Sequence, residues 1–177
     1  MNRTVLVIAA LLLSCWVLWQ WLQPVAAPQS MPELTRFNQD QIKRVSLNVG
    51  SREVLSLLFQ DDVWLLGDDS LARADENAVF RLLDDLRDME PLRVVTRNPE
   101  RHQRLQVHEG STRLVLKDDS DHVLLDVYVG KQGSDLISTY IRLANSPEVV
   151  AVDRALAWQV RRSPGAWKVA EAETGDE

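Results

Sequence analysis

Nineteen consecutive positions from Thr4 to Leu22, TVLVIAALLLSCWVLWQWL, carry no charge, and this run restricts the chain more than any other feature. As a helix it rises about 28 Å, close to the roughly 30 Å of bilayer hydrocarbon. Leu, Ile, Val and Ala fill its first half, while Trp16, Trp19 and Trp21 gather at its far end, where indole rings favour the headgroup layer. Pro24 then ends the helix. Arg3 and the amino terminus supply the positive charge at the near end. By the positive-inside rule that end stays in the cytoplasm and everything beyond Pro24 is translocated. The expectation is a single-pass anchor over residues 1–22, in the bilayer through residues 4–22 and at its interface through the three Trp.

Three other origins compete for the same run. A cleavable signal peptide finds a small-residue site in Val25-Ala26-Ala27, but Pro28 follows directly and nineteen apolar positions are long for a signal. Leu-Leu-Ser before Cys15 resembles a lipoprotein box, yet Trp-Val-Leu-Trp follows where a lipidated Cys normally meets a polar linker. A buried core helix normally shows one polar face, and this run has none. The anchor is preferred, with Cys15 a small inert apolar residue inside it.

Beyond the run, residues 23–40 are rich in Pro, Ala, Gln and Ser and read as a semi-extended linker. The segment up to Leu22 holds one Arg and no acid, so the remainder carries 19 basic and 26 acidic residues, a net of −7. Such an acidic body is repelled by anionic headgroups, and its charge balance places a dominant nucleic-acid-binding role well behind, since that role usually needs a basic face. Cys15 is the sole Cys of the chain, which excludes a disulfide framework and a Cys-rich zinc module.

Residues 41–169 are long enough for one hydrophobic core. Val45, Leu47 and Val49 alternate with Arg44, Ser46 and Asn48, and Gly50-Ser51 turns this strand into Val54 to Phe59, where Leu55, Leu57 and Phe59 share a face. Asp61-Asp62 turns again before Trp64-Leu65-Leu66, giving an antiparallel meander. Asp75 caps a helix whose apolar stripe is Val79, Leu82, Leu83, Leu86 and Met89, with Arg81, Asp84, Asp85 and Arg87 on its wet side; Pro91 stops it. Leu92 to Val95 is a strand, and Asn98-Pro99-Glu100 opens a short turn or helix through Arg104. Thr112 to Lys117 and His122 to Val129 form a hairpin about Asp118-Asp119-Ser120-Asp121, with Val123, Leu125, Val127 and Val129 inward. Ser138 to Leu143 and Val149 to Val152 are two more strands, joined through Asn145-Ser146-Pro147. Asp153 is expected to cap a second helix bearing Leu156, Ala157 and Val160, and residues 170–177 form a disordered acidic tail. The fold class is therefore α+β: an N-terminal transmembrane helix, then one antiparallel-sheet domain with two helices. Each half places strands before a helix, a pattern an old duplication would leave.

The order of these features resembles the bacterial family known as domain of unknown function 4340. The residues that carry it are Trp64, Ala74-Asp75 with Val79, Leu82-Leu83 and Leu86, then Val129-Gly130-Lys131, Thr139-Tyr140-Ile141-Arg142, and Val149 through Val152 before Asp153. It covers most of residues 42–160. The family often has Gly-Leu where this chain has Arg104-Leu105, and tends to have Tyr where Val150 stands. The resemblance implies a membrane-associated domain on the outer side of a bacterial inner membrane, in some members alongside gliding-motility-type ABC transporters. It supplies no catalytic residue.

Chemistry-bearing patterns are sparse. His102, His108 and His122 lack the spacing or cysteine partners of a zinc site and are expected to be solvent-exposed. Asp61-Asp62, Asp68-Asp69, Asp84-Asp85 and Asp118-Asp119 are adjacent in sequence, as turn-capping carboxylates are, rather than set across a cleft. The Asp118–Asp121 run lacks the length, Gly and terminal Glu of a calcium loop. No Gly-x-Ser-x-Gly elbow occurs. Gly130-Lys131-Gln132-Gly133 lacks the full spacing of a phosphate loop and reads as a turn, its glycines at unusual φ. One surface feature stands out. With Thr139, Ile141 and Leu143 on the core, Tyr140 and Arg142 turn outward beside Leu124, Asp126 and Tyr128, a sheet face rich in the residue types of binding hot spots. The C-terminal helix or the linker is what would otherwise cover it.

The expectation is a membrane-tethered, non-catalytic periplasmic accessory or scaffold protein, without metal or cofactor, in a membrane-protein complex. A periplasmic glycan- or peptide-binding module is the alternative, and an envelope hydrolase a more distant one.

Overall fold

Two successive Asp residues with positive φ, Asp61 at 50° and Asp62 at 61°, make the tight turn that matches the twist of a β-hairpin. They join strands β2 (Arg52–Gln60) and β3 (Val63–Leu66), and Gly50, at φ 59°, helps turn β1 (Arg44–Val49) into β2. The computed structural model describes residue 34 and residues 37–68 and 71–169. The run from Thr4 to Leu22, its three Trp residues and the acidic tail lie outside the described residues. Among the described residues no helix is long and apolar enough to cross a membrane.

After the meander comes helix α1 (Glu76–Arg87), with Asp75 as its cap: the carboxylate accepts from the Asn77 and Ala78 amides. Its apolar stripe, Val79, Leu82, Leu83 and Leu86, is buried in the core. The chain continues through β4 (Pro91–Thr96), a 3-10 turn (Pro99–Arg101), the single-turn helix α2 (His102–Leu105), β5 (Thr112–Lys117), β6 (Val123–Gln132), β7 (Thr139–Leu143) and β8 (Val149–Val152). All eight strands form one sheet in the order β3-β2-β1-β5-β6-β7-β8-β4, every named pairing antiparallel. One face carries the main core: Val45, Leu47, Leu57, Trp64, Leu114, Leu116, Val127, Val129, Ile141 and Val150 beneath α1, joined by Trp167. Leu34 is buried in this core and Phe37 packs on it, so packing reaches back into the stretch that reads as linker.

The α+β class, the antiparallel sheet and a count of two helices stand, but the second helix is α2, not a segment after Asp153. The Asp153 carboxylate instead accepts from the Glu90 amide (2.8 Å) and from Arg154 (2.6 Å). The next residues lose the groups a helix would use: the Thr139 hydroxyl donates to the Arg154 carbonyl (2.7 Å) and accepts from the Leu156 amide (2.9 Å). Leu156, Ala157 and Val160 are buried as their spacing predicts, from a turn rather than a helix. Tertiary hydrogen bonds override local propensity here.

Gly130 corrects a second expectation. It lies inside β6, and Gly50 is the only glycine at positive φ among the described residues. A Cβ at Gly130 would sit 2.4 Å from the Leu105 carbonyl oxygen and 2.9 Å from that of Tyr140, so this glycine permits close backbone approach. The turn comes later, where the Leu136 amide donates to the Gly133 carbonyl (3.1 Å).

Candidate functional site

The sheet face opposite the main core divides in two. Across β6, β7 and β8 the chain from Asn98 to Ser111 packs over a small second cluster, in which Val107, Tyr128 and Val149 are buried and Val95, Leu105, Tyr140 and Ala144 pack against them. Across β1, β2, β3 and β5 the register places Ser56 beside Ser46 and Ser46 beside Val115, with Leu58 beside Leu65, and Leu58, Leu65 and Val115 remain half-buried. The cover lies where the sequence suggests an open surface, and among the described residues it comes from residues 98–111 rather than from the linker or the C-terminal segment.

The five residues expected on one outward face are therefore dispersed in role. Tyr128 and Arg142 are opposite each other in the β6–β7 register, but both are buried. The Arg142 guanidinium lies 4.4 Å from the Tyr128 ring centroid and donates to the carbonyls of Val107 (2.8 Å) and Ser146 (3.0 Å), with longer contacts to Leu143 and Ala144. It clamps two loops onto the sheet. Tyr140 is half-buried in the same cluster. Asp126 binds Arg113 through both carboxylate oxygens (2.7 and 2.5 Å), and this hydrogen bonding raises the Arg113 pKa above its usual value. Leu124 departs most. The β5–β6 pairing slips between Leu116 and Lys117, opposite Leu124, so the alternation reverses. Leu124 packs against the main core and Val123, expected inward, is exposed.

His102 is not exposed, as its polarity suggests, but buried, its Nε2 2.9 Å from the Pro147 carbonyl. The Asp118 carboxylate closes its hairpin by accepting from the amides of Ser120 (2.9 Å) and His122 (2.8 Å). Burial pulls its pKa up, but these hydrogen bonds together bring it below the usual value. Among the described residues no three His, Cys, Asp or Glu side chains converge as a metal would require.

What sequence reasoning missed is an open cleft of about 420 Å³ where β1 ends and β5 begins, lined by Val49, Gln106, His108, Gly110, Ser111, Thr112 and Arg161. Ser111 Oγ lies 2.7 Å from His108 Nδ1. Arg161 reaches the Gln106 side-chain oxygen (2.8 Å) and the Gly130 carbonyl (3.1 Å). No carboxylate lines the cleft; Arg161 is a donor only, and the side chains of Gln106, His108, Ser111 and Thr112 can each donate or accept. Five of the lining residues lie between Gln106 and Thr112; strand order brings Val49 to them, and the return of the chain after β8 brings Arg161.

No curated protein and no solved structure matches the chain. The family model described as a domain of unknown function (DUF4340) matches residues 64–171, more than half of the sequence, from the buried Trp64 through Trp167. The chain belongs to that family.

Proposed function

We propose that this protein is a membrane-tethered, non-catalytic accessory or scaffold protein, held in a bacterial inner membrane by residues 4–22 with its DUF4340 domain in the periplasm. The observation that carries the proposal is a nineteen-residue uncharged run that ends, in sequence, twelve residues before Leu34, a residue buried in the domain's core. Tethering raises the local concentration of such a domain near membrane partners without any new contact. A non-catalytic role is supported by the internal engagement of reactive groups: Asp75, Asp118 and Asp135 hold backbone amides, and His102 holds a carbonyl. Service beside an ABC-type transporter is the process that the family resemblance implies.

A wash of membranes with alkaline carbonate, after crosslinking of the full chain to its neighbours, tests the proposal. The expected result is a chain that stays in the pellet, joined to a defined membrane complex. Release into the supernatant without lipid overturns it.

The cleft, with one guanidinium and no carboxylate in its lining, favours a second reading, a module that binds a peptide or glycan bearing an anionic group beside Arg161 and His108. Shifts of the His108 ring signals on titration with acidic peptides or uronic-acid oligosaccharides test it, and unmoved signals reject it. A hydrolase draws little support from Ser111 and His108, which are three residues apart with the bond at Nδ1; among the described residues no carboxylate is hydrogen-bonded to the other ring nitrogen.

A further inference from the structure

The β6–β7 hairpin ends in two adjacent aliphatic side chains, Leu136 and Ile137, which are 73% and 64% exposed, the most exposed large hydrophobic residues among those described. They are held rigidly. The Asp135 carboxylate accepts from the Ile137 amide (3.1 Å), the Ser138 amide (2.9 Å) and the Ser138 hydroxyl (2.8 Å). The Gly133 amide donates to the Ser138 carbonyl (2.8 Å), and the Gln132 side chain donates to the Leu136 carbonyl. Leu136 is kept at φ 62°, a conformation that Leu rarely adopts. A tip fixed in this way loses little conformational freedom on meeting a surface.

Its surroundings indicate which surface. After β8 the chain returns along this hairpin, fastened where Thr139 meets Arg154 and Leu156 and where Arg161 meets Gly130. Trp158, half exposed, lies between those attachments. From Arg154 to Val169 the sequence has four basic residues and no acid. Among the described residues Lys131, Arg161 and Arg162 form no ion pair, and Arg162 lies 5.5 Å from the rings of Trp158 and Trp167. Asp61, Asp62, Asp118, Asp119 and Asp121 occupy turns at the opposite ends of β2, β5 and β6. At the hairpin end the Asp135 carboxylate is held inside the turn and Asp85 and Asp153 are paired with Arg154, which leaves Lys131, Arg161 and Arg162 as cations without an acidic partner among the described residues.

We propose that this end, with Leu136 and Ile137 leading, and with Lys131 on β6 and Trp158, Arg161 and Arg162 on the returning chain behind them, docks on an anionic lipid surface. Short aliphatic side chains enter the boundary between headgroups and acyl chains, indole favours that boundary, and the cations meet lipid phosphates. The proposal rests on the tether proposed above, because so small an apolar tip binds lipid weakly alone. The eleven residues from Gln23 to Glu33, between the proposed tether and Leu34, reach about 37 Å when extended.

The test uses the full chain carrying Cys15→Ser and Ser134→Cys, labelled at residue 134 with a fluorophore and placed in vesicles whose acyl chains carry a quencher. With phosphatidylglycerol in the vesicles, quenching should be several-fold greater than for a label introduced by Asp119→Cys at the opposite end. It should fall in phosphatidylcholine alone, in high salt, and in the Leu136→Ser, Ile137→Ser double variant, whose circular dichroism checks the fold. Equal quenching at the two sites, or quenching that survives the double variant, overturns the docking, as does a tip that crosslinks to a protein while remaining unquenched. Alkaline carbonate separates the two failures: a chain that stays in the vesicles with an unquenched tip keeps its tether, and one that washes off loses both proposals.

Discussion

Replacing Arg142 with Met asks whether this side chain is a clamp or a contact for another molecule. The guanidinium is buried, with two short hydrogen bonds, to Val107 and Ser146, and two longer ones. Hydrogen bonds from a charged group contribute about 1.5–3 kcal/mol each, and the stacking on Tyr128 about 0.5–2 kcal/mol. Against this stands the desolvation of the cation, which costs several kcal/mol. Met keeps the apolar packing of the stem but returns the carbonyls of two surface loops toward water. The net loss expected is about 3 kcal/mol, a sizeable part of the 5–15 kcal/mol of an ordinary domain. Urea unfolding of the full chain in detergent should show the midpoint drop, and amide exchange should speed up first between residues 98 and 111. An unchanged midpoint with unchanged exchange would refute the clamp, and leave Arg142 to an external partner.

Other substitutions discriminate at lower cost. Gly130→Ala forces a Cβ against the Leu105 and Tyr140 carbonyls and should destabilise by about 2–3 kcal/mol, whereas Gly165→Ala, with nothing within 4 Å, should leave the urea midpoint nearly unchanged. Asp75→Ala removes the acceptor for two amides of α1 and should cost about 1 kcal/mol by the same assay. The Asp135 carboxyl is held below its usual pKa chiefly by the Ser138 amide, then by the Ser138 hydroxyl and the Ile137 amide. Its folded value lies below the unfolded one, so its stabilisation is present above about pH 4 and is lost as pH falls through the folded value. Amide exchange at residues 136–138 should accelerate across that acid window in the native chain, but be fast and nearly pH-independent, once intrinsic exchange is corrected for, in Asp135→Asn.

Much of the sheet was legible because its signals are local. Val45 and Leu47, Leu114 and Leu116, and Ile141 alternate with polar or half-buried neighbours, and the Asp61-Asp62 and Asp118–Asp121 turns carry their own chemistry. The stripe of α1 is equally explicit. Failures occurred where distant groups intervened. A bulge opposite Leu116 reversed the faces of Val123 and Leu124, and alternation alone carries no mark of a bulge. Thr139 took the hydrogen bonds of the expected second helix from fifteen residues away in sequence. The cover over Tyr128 and Arg142 left one trace: Leu105 and Val107 alternate apolar with polar just before β5, and Gly130 lacks the side chain that would exclude them. The cleft at Arg161 left none, since strand order and the path after β8 are what bring Val49 and Arg161 to residues 106–112.

The central claim, a domain carried outside the cytoplasm by an N-terminal tether, is tested most directly by labelling intact cells. A full chain with Cys15→Ser and Asp119→Cys, the latter on the exposed turn between β5 and β6, is treated with a membrane-impermeant maleimide after the outer membrane has been permeabilised. Labelling before lysis, with the product retained in the membrane fraction, is the predicted result. Labelling only after the inner membrane is broken would contradict it.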